Sequence, residues 1–174
     1  MELKTLAILG SSGLIGNRLC KDLRNEYKIV KLNRNLKLKK KSKIDYLICC
    51  SGPNKFWCEK NKKEILKDSS NFAKRVINFY KENNISNLIY CSSIQVLKKK
   101  NDHLIPYIKW HMNIEKYFCK AKIKKKIIRL PNLFGKPEKN KKNLWNFFVN
   151  SIVKSSYLKK SIKVKNTPSQ IIYA

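Results

Sequence analysis

Short apolar runs alternate with stretches of helical period along most of the 174 residues. Residues 4–10, Lys-Thr-Leu-Ala-Ile-Leu-Gly, make an apolar run closed by a glycine, which predicts a short buried strand. Residues 14–25 then put Leu14, Ile15, Leu19 and Leu23 on one side of a helix. Tyr27 to Leu32 predicts a second strand, and residues 35–43 a basic connector with little apolar pattern. Ile44 to Cys50 is a clear buried strand, stopped by Ser51-Gly52-Pro53. A helix is expected over 62–83, with Ile65, Leu66, Phe72, Val76, Ile77 and Tyr80 as its apolar side. After the turn Asn83-Asn84 come a strand at Leu88 to Cys91 and a helix from Pro106 to Lys120, with proline in its first turn. Lys126 to Leu130 is the next strand, and 143–158 a last amphipathic helix.

Apolar strands alternating with helices imply a parallel sheet covered on both faces, because crossover helices must lie on its sides. The expected fold is therefore α/β, a Rossmann-like doubly wound parallel sheet with helices on both faces. No apolar window reaches the roughly 18 residues of a membrane span. The first residues lack the length and cleavage pattern of a signal peptide, so a cytoplasmic location is expected.

Charge complicates this picture. Forty Lys+Arg against eleven Asp+Glu give a net charge of +29, which draws polyanions. Yet 35 of those cations are Lys and only 5 are Arg, with 20 Ile beside them. Base-reading and bidentate phosphate sites favour Arg, whereas Lys, Ile and Asn together are what AT-rich coding DNA produces. Binding of nucleic acid through charge is thus not the favoured reading. The six cysteines show no C-x-x-C spacing, and His103 and His111 are the only histidines. No metal site is expected, and the thiols read as reduced core residues.

The strongest chemical signal is Gly10-Ser11-Ser12-Gly13-Leu14-Ile15-Gly16, set between the first strand and the first helix. Glycines allow the tight turn and the approach of a diphosphate to the backbone. The helix start then offers free N–H groups and the positive end of its dipole. Gly10, Ser12, Gly13, Leu14, Ile15 and Gly16 are accordingly the expected cofactor-binding turn.

Six motifs in order make the chain resemble the extended short-chain dehydrogenase/reductase family, the NAD(P)-dependent sugar-nucleotide epimerases, dehydratases and reductases. Gly10, Gly13 and Gly16 match its phosphate loop, and Asp45 to Ser51 resembles its strand ending in two small residues, here Cys50 and Ser51, under the cofactor. Residues 71–79 are similar to its N-x-x-G-T-x-N-L helix, with Lys74 and Arg75 in place of Gly-Thr. Residues 90–96 resemble the strand bearing the catalytic Ser/Thr, which falls on Ser93. Pro106-Tyr107 through His111 to Glu115 matches P-Y-x-x-S-K-x-x-x-E, and Arg129 to Gly135 resembles R-x-P-N-x-Y-G. The resemblance implies Tyr107 as general acid/base, Ser93 as its hydrogen-bonding assistant, Pro131 beside the nicotinamide and Asn132 beside the substrate.

Three departures stand out. His111 occupies the position of the Lys that holds the nicotinamide ribose and lowers the Tyr pKa. Lys109 cannot replace it, being about 200° away around the helix. Only about ten residues separate Arg34 from Ile44, where the family has a further helix and strand, so part of the adenine wall is expected to be missing. Residues 1–160 are expected to form the NAD(P)-binding domain and 161–174 only the start of a C-terminal substrate-binding segment. Asn33 and Arg34 follow the second strand where NAD enzymes usually carry an acidic residue, which tilts the expected cofactor from NAD toward NADP.

The resulting expectation is an NAD(P)-dependent epimerase, dehydratase or reductase acting on a nucleotide sugar, with Ser93, Tyr107 and His111 catalytic and a homodimer compatible with the reading. The alternatives are a catalytically silent NAD(P)-binding module, acting as sensor or subunit, and a nucleic-acid-associated Rossmann protein.

Overall fold

The computed structural model describes residues 2–38, 43–97 and 105–131, which lie within one compact unit, Met1–Asn132. Five strands form one sheet: β1 Thr5–Leu9, β2 Lys28–Leu32, β3 Tyr46–Cys49, β4 Asn87–Ser93 and β5 Lys125–Leu130. All neighbours are parallel, in the order β2-β1-β3-β4-β5. From β1 the chain therefore steps outward to β2, then returns to the other side of β1 for β3 and the strands after it. The C-terminal ends of β1 and β3 diverge at this reversal and leave a crevice there.

Helix α1 (Leu14–Asp22) covers one face, where Cys20 meets Leu6, Ile8 and Ile48. The other face is covered by α2 (Lys55–Lys60), α3 (Ile65–Glu82) and α4 (Pro106–Lys120). There Ala7, Leu9, Leu47, Leu88 and Tyr90 of the sheet pack on Phe72, Val76, Ile114 and Phe118 of α3 and α4. Odd and even positions of a strand point to opposite faces, so Ala7 and Leu9 serve one core while Leu6 and Ile8 serve the other. The doubly wound parallel sheet expected from the sequence is present, and no described helix is long and apolar enough to cross a membrane.

Several element readings are corrected. The helix expected over 62–83 begins at Ile65, and a separate α2 precedes it, capped by Asn54 accepting from the Trp57 N–H at 2.8 Å. Leu66, placed on the apolar side, is 56% exposed. Small Ser69 takes the buried position instead, because its hydroxyl donates back to the Ile65 carbonyl at 2.6 Å and so needs no water. The helix expected to reach residue 25 ends at Asp22. The helix expected at 143–158, Asn132 and the segment 161–174 lie outside the described residues.

Candidate functional site

At the C-terminal end of β1 the glycine turn is held by backbone packing. Gly10 has φ +92°, a region that L side chains rarely adopt, and a Cβ there would stand 2.9 Å from the Ser51 nitrogen. A Cβ on Gly16 would stand 2.3 Å from the Gly10 carbonyl oxygen, so this glycine lets α1 sit against the end of β1. Gly13 differs: among the described residues a Cβ would touch only the Gly10 oxygen, at 3.3 Å. Its outer side is open, and the residue itself is exposed. The first helical bond of α1 runs from the Asn17 N–H to the Gly13 carbonyl at 3.0 Å. The N–H groups of Leu14, Ile15 and Gly16 precede it in the first turn, where a helix supplies no intrahelical acceptor. An anion seated over Gly13 would meet them, and the fixed turn would spend no entropy on forming around it.

Two clefts flank this turn. One, of about 380 Å³, lies between Ser11, Ser12 and the end of β2, with Lys31, Asn33 and Lys37 on its wall. The other, of about 580 Å³, opens where Arg34, Ser51 and Gly52 face α3 and Trp110 of α4. Asn33 turns its side chain inward on its own loop, Oδ1 accepting from the Asn35 N–H at 3.1 Å. Arg34 reaches across the crevice, its Nη2 donating to the Gly52 carbonyl at 3.5 Å. Cys50 and Ser51 follow β3 directly beneath Gly10. The Cys50 sulfur lies 3.6 Å from that of Cys91, and this contact together with burial holds Cys50 well above the ordinary thiol range. Cys91 is lowered by the same contact. All six cysteines are free, and no group of His, Cys, Asp and Glu among the described residues could hold a metal ion.

Further along the sheet, Ser93 closes β4 and Tyr107 opens α4. Burial pushes the Tyr107 phenol up, while a hydrogen bond from Ser93 pulls it down, and burial is the larger effect. The phenol is therefore a proton donor at neutral pH. The rings of Tyr107 and His111 meet edge to face with centroids 4.7 Å apart, as expected for an i, i+4 pair on one helix.

His111 is where sequence and geometry differ most. Its ring is 6% exposed, with Nδ1 lying 2.7 Å from the Tyr90 hydroxyl. Burial lowers its pKa to about 4, against a smaller opposing pull from Glu115. It is a neutral core side chain at pH 7 and carries none of the charge a lysine would bring. Tyr90 is raised well above its ordinary value, mainly by burial, so its phenol keeps its proton. The hydroxyl and Nδ1 share one hydrogen bond, and the imidazole tautomer sets which of them donates.

One cluster was invisible in the sequence. Glu115, 8% exposed, accepts from Ser92 Oγ at 2.6 Å and from Arg129 Nε and Nη2 at 3.2 and 2.8 Å. It ties β4, α4 and β5 together one residue before Ser93 and one helical turn after His111. Glu115 and Arg129 stand in two of the resembling motifs, but nothing in their spacing shows that they meet. Pro131 follows β5 directly and is exposed.

No family model matches the chain, and no curated protein matches it. Solved structures do, at the level of fold. A UDP-N-acetylglucosamine 4-epimerase from Methanobrevibacter ruminantium M1, in complex with UDP-N-acetylmuramic acid, superposes with a TM-score of 0.73 at 15% identity, over 92% of this chain and 65% of its own. A GDP-D-glycero-L-gluco-heptose synthase from Campylobacter jejuni, solved in the presence of NADPH, gives 0.67 at 14% identity, over 93% of this chain and 62% of its own. An NAD-dependent NDP-hexosamine 5,6-dehydratase involved in tunicamycin biosynthesis gives 0.62 at 13% identity, over 78% and 57%. The chain thus shares their fold and spans between about half and two thirds of their length.

Proposed function

We propose that the chain binds NAD(P)(H) across the C-terminal edge of its sheet and serves an oxidoreductase or epimerase chemistry on a nucleotide sugar. The observation that carries the reading is the glycine turn: Gly10 and Gly16 are required by the fold, whereas Gly13 leaves an open seat in front of the α1 N–H groups. The likeness in fold to a nucleotide-sugar epimerase, a synthase and a dehydratase supports the substrate class. Bound nicotinamide would supply or accept a hydride. Tyr107 would then give a proton to the carbonyl oxygen being reduced, or take it back in the reverse direction, while Ser93 holds the same oxygen. A phenol raised by burial favours the donor role. Pro131, which follows β5, is assigned to the nicotinamide side and Asn132, next in the sequence, to the substrate side, while His111 supports Tyr107 as a neutral neighbour rather than as a cation. Asn33 and Arg34, with no carboxylate at the end of β2, favour NADP over NAD.

The test is a fluorescence titration with NADPH and NADH, followed by single-turnover assays of parent, Tyr107→Phe and His111→Lys against a panel of nucleotide sugars. Turnover in the parent that vanishes in Tyr107→Phe supports the enzyme. Dinucleotide binding without turnover in any of the three leaves a cofactor-binding module, and absence of binding rejects the reading.

A further inference from the structure

The cleft of about 580 Å³ between the ends of β2 and β3 and the flank of α3 has more built into it than a solvated groove needs. Asn71, Lys74, Arg75 and Asn78 all line it and all are exposed. Their i, i+3, i+4, i+7 spacing makes them one polar stripe along α3. Arg34 enters from the opposite wall, fixed at the Gly52 carbonyl. Only five arginines exist in the chain; two of them, Arg34 and Arg75, line this cleft, and neither forms an ion pair among the described residues. Arg18 and Arg129, by contrast, pair with Asp22 and Glu115. Asp68 is the one carboxylate among the described lining residues, whose balance of charge is positive.

The floor is aromatic and carries an unmet donor. Trp110 packs edge to face on Trp57, centroids 6.2 Å apart, and against Phe72 at 5.8 Å. Its indole Nε1 is buried without any hydrogen-bond partner among the described residues, and it stands 3.7 Å from where a Gly52 Cβ would be. Leaving a buried donor unsatisfied is costly, and an acceptor atom entering beside Gly52 would remove that cost. Cations on the walls, tryptophans beneath and an indole N–H seeking an acceptor together fit a flat heteroaromatic ring that carries a phosphate. Among the described residues no strand lies outside β2, so the α3 stripe itself forms the outer wall.

We propose that this cleft takes the 2′-phosphorylated adenosine end of a nucleotide, with Lys74 and Arg75 as the residues that recognise the extra phosphate together with Arg34. The proposal rests on the dinucleotide reading for its occupant, NADP(H), but the cleft's chemistry is shared by a free 2′,5′-phosphorylated adenosine. Calorimetric titrations with NADPH, NADH, 2′,5′-ADP and 5′-ADP separate these sources, in the parent and in Lys74→Ala/Arg75→Ala, whose exposed positions leave the core intact. Expected are NADPH and 2′,5′-ADP binding at least tenfold tighter than NADH and 5′-ADP in the parent. The double variant should lose that preference and keep NADH within about twofold. Trp110→Phe, which keeps the ring and drops the N–H, should weaken all four ligands severalfold. If the double variant keeps the parent's NADPH to NADH ratio, the assignment of Lys74 and Arg75 is overturned while dinucleotide binding stands. If the parent binds 2′,5′-ADP in a Lys74- and Arg75-dependent way but neither dinucleotide, the cleft is confirmed and the dinucleotide reading falls. No binding of any of the four overturns both.

Discussion

Tyr90 on β4 and His111 on α4 are joined by a 2.7 Å hydrogen bond inside the core, the tyrosine 1% and the histidine 6% exposed. The imidazole in it is neutral at pH 7, because burial lowers the His111 pKa to about 4. Protonating His111 would put a charge into a site whose burial already penalises it.

Stability should therefore depend on pH through this residue. The folded chain titrates His111 at about 4, against an ordinary 6.5. Between those values the unfolded chain takes up a proton that the folded chain refuses, so the contribution is complete above 6.5 and is lost as pH falls toward 4. At about 1.4 kcal/mol per pKa unit the loss is on the order of 3 kcal/mol. Urea melts of the parent at pH 7 and pH 4.5 should show this drop. His111→Phe should be less stable at pH 7, where Tyr90 loses its hydrogen-bond partner, and should show a shallower pH dependence. An equally steep dependence in His111→Phe would place the proton uptake elsewhere.

The glycine turn makes a paired prediction. Gly16→Ala forces a Cβ to 2.3 Å from backbone, which neither α1 nor β1 can yield cheaply; it should cost roughly 1–3 kcal/mol of stability. Gly13→Val has open space on its outer side and should melt within a few degrees of the parent, yet fill the seat before the α1 N–H groups and abolish dinucleotide binding. Gly13→Val that binds as the parent does would mean that the diphosphate lies elsewhere.

How much of this was readable from the chain depends on how local the cause is. Gly10, Gly13 and Gly16 were legible because a turn and a helix start are set by neighbours in sequence, although only geometry separates the two structural glycines from the open one. The α4 limits, Pro106 and Lys120, were likewise local. Leu66 was misassigned and the buried Ser69 passed over, because a helix face is chosen by what packs on it, and a serine that bonds its own backbone passes for polar in a pattern. His111 could be placed on the Tyr107 side of α4, but its partner Tyr90 is 21 residues away on another element. The same holds for Arg34, Lys74, Arg75 and Trp110, which come from three elements to one cleft.

That misassignment can be checked directly. Leu66→Gln should change stability by no more than about 0.5 kcal/mol, as surface substitutions usually do. Phe72→Ala should cost roughly 3–5 kcal/mol, since its ring is packed against Trp110. Comparable losses in the two variants would restore Leu66 to the core.

The Ser92–Glu115–Arg129 cluster gives the last prediction. Glu115 is buried and receives three hydrogen bonds, two from a guanidinium whose own side chain is 42% exposed. Water screens the arginine end, so the pair is worth less than a fully buried one, yet removing Arg129 strands a carboxylate that only Ser92 still serves. Arg129→Ala should cost about 2 kcal/mol, and Glu115→Ala a similar amount. Because each loss is largely the same broken contact, the double variant should cost much less than their sum, with a coupling of about 1–2 kcal/mol. Arg129→Lys should recover only part, since an ammonium cannot make the two-pronged contact. The cluster also fixes the backbone beside Ser93 and the α4 turn that carries His111. Its loss should therefore lower turnover more than it weakens dinucleotide binding at the glycine turn. Strictly additive stabilities in the double-variant cycle would show that Glu115 and Arg129 do not depend on each other, and that β5 is held to α4 by packing alone.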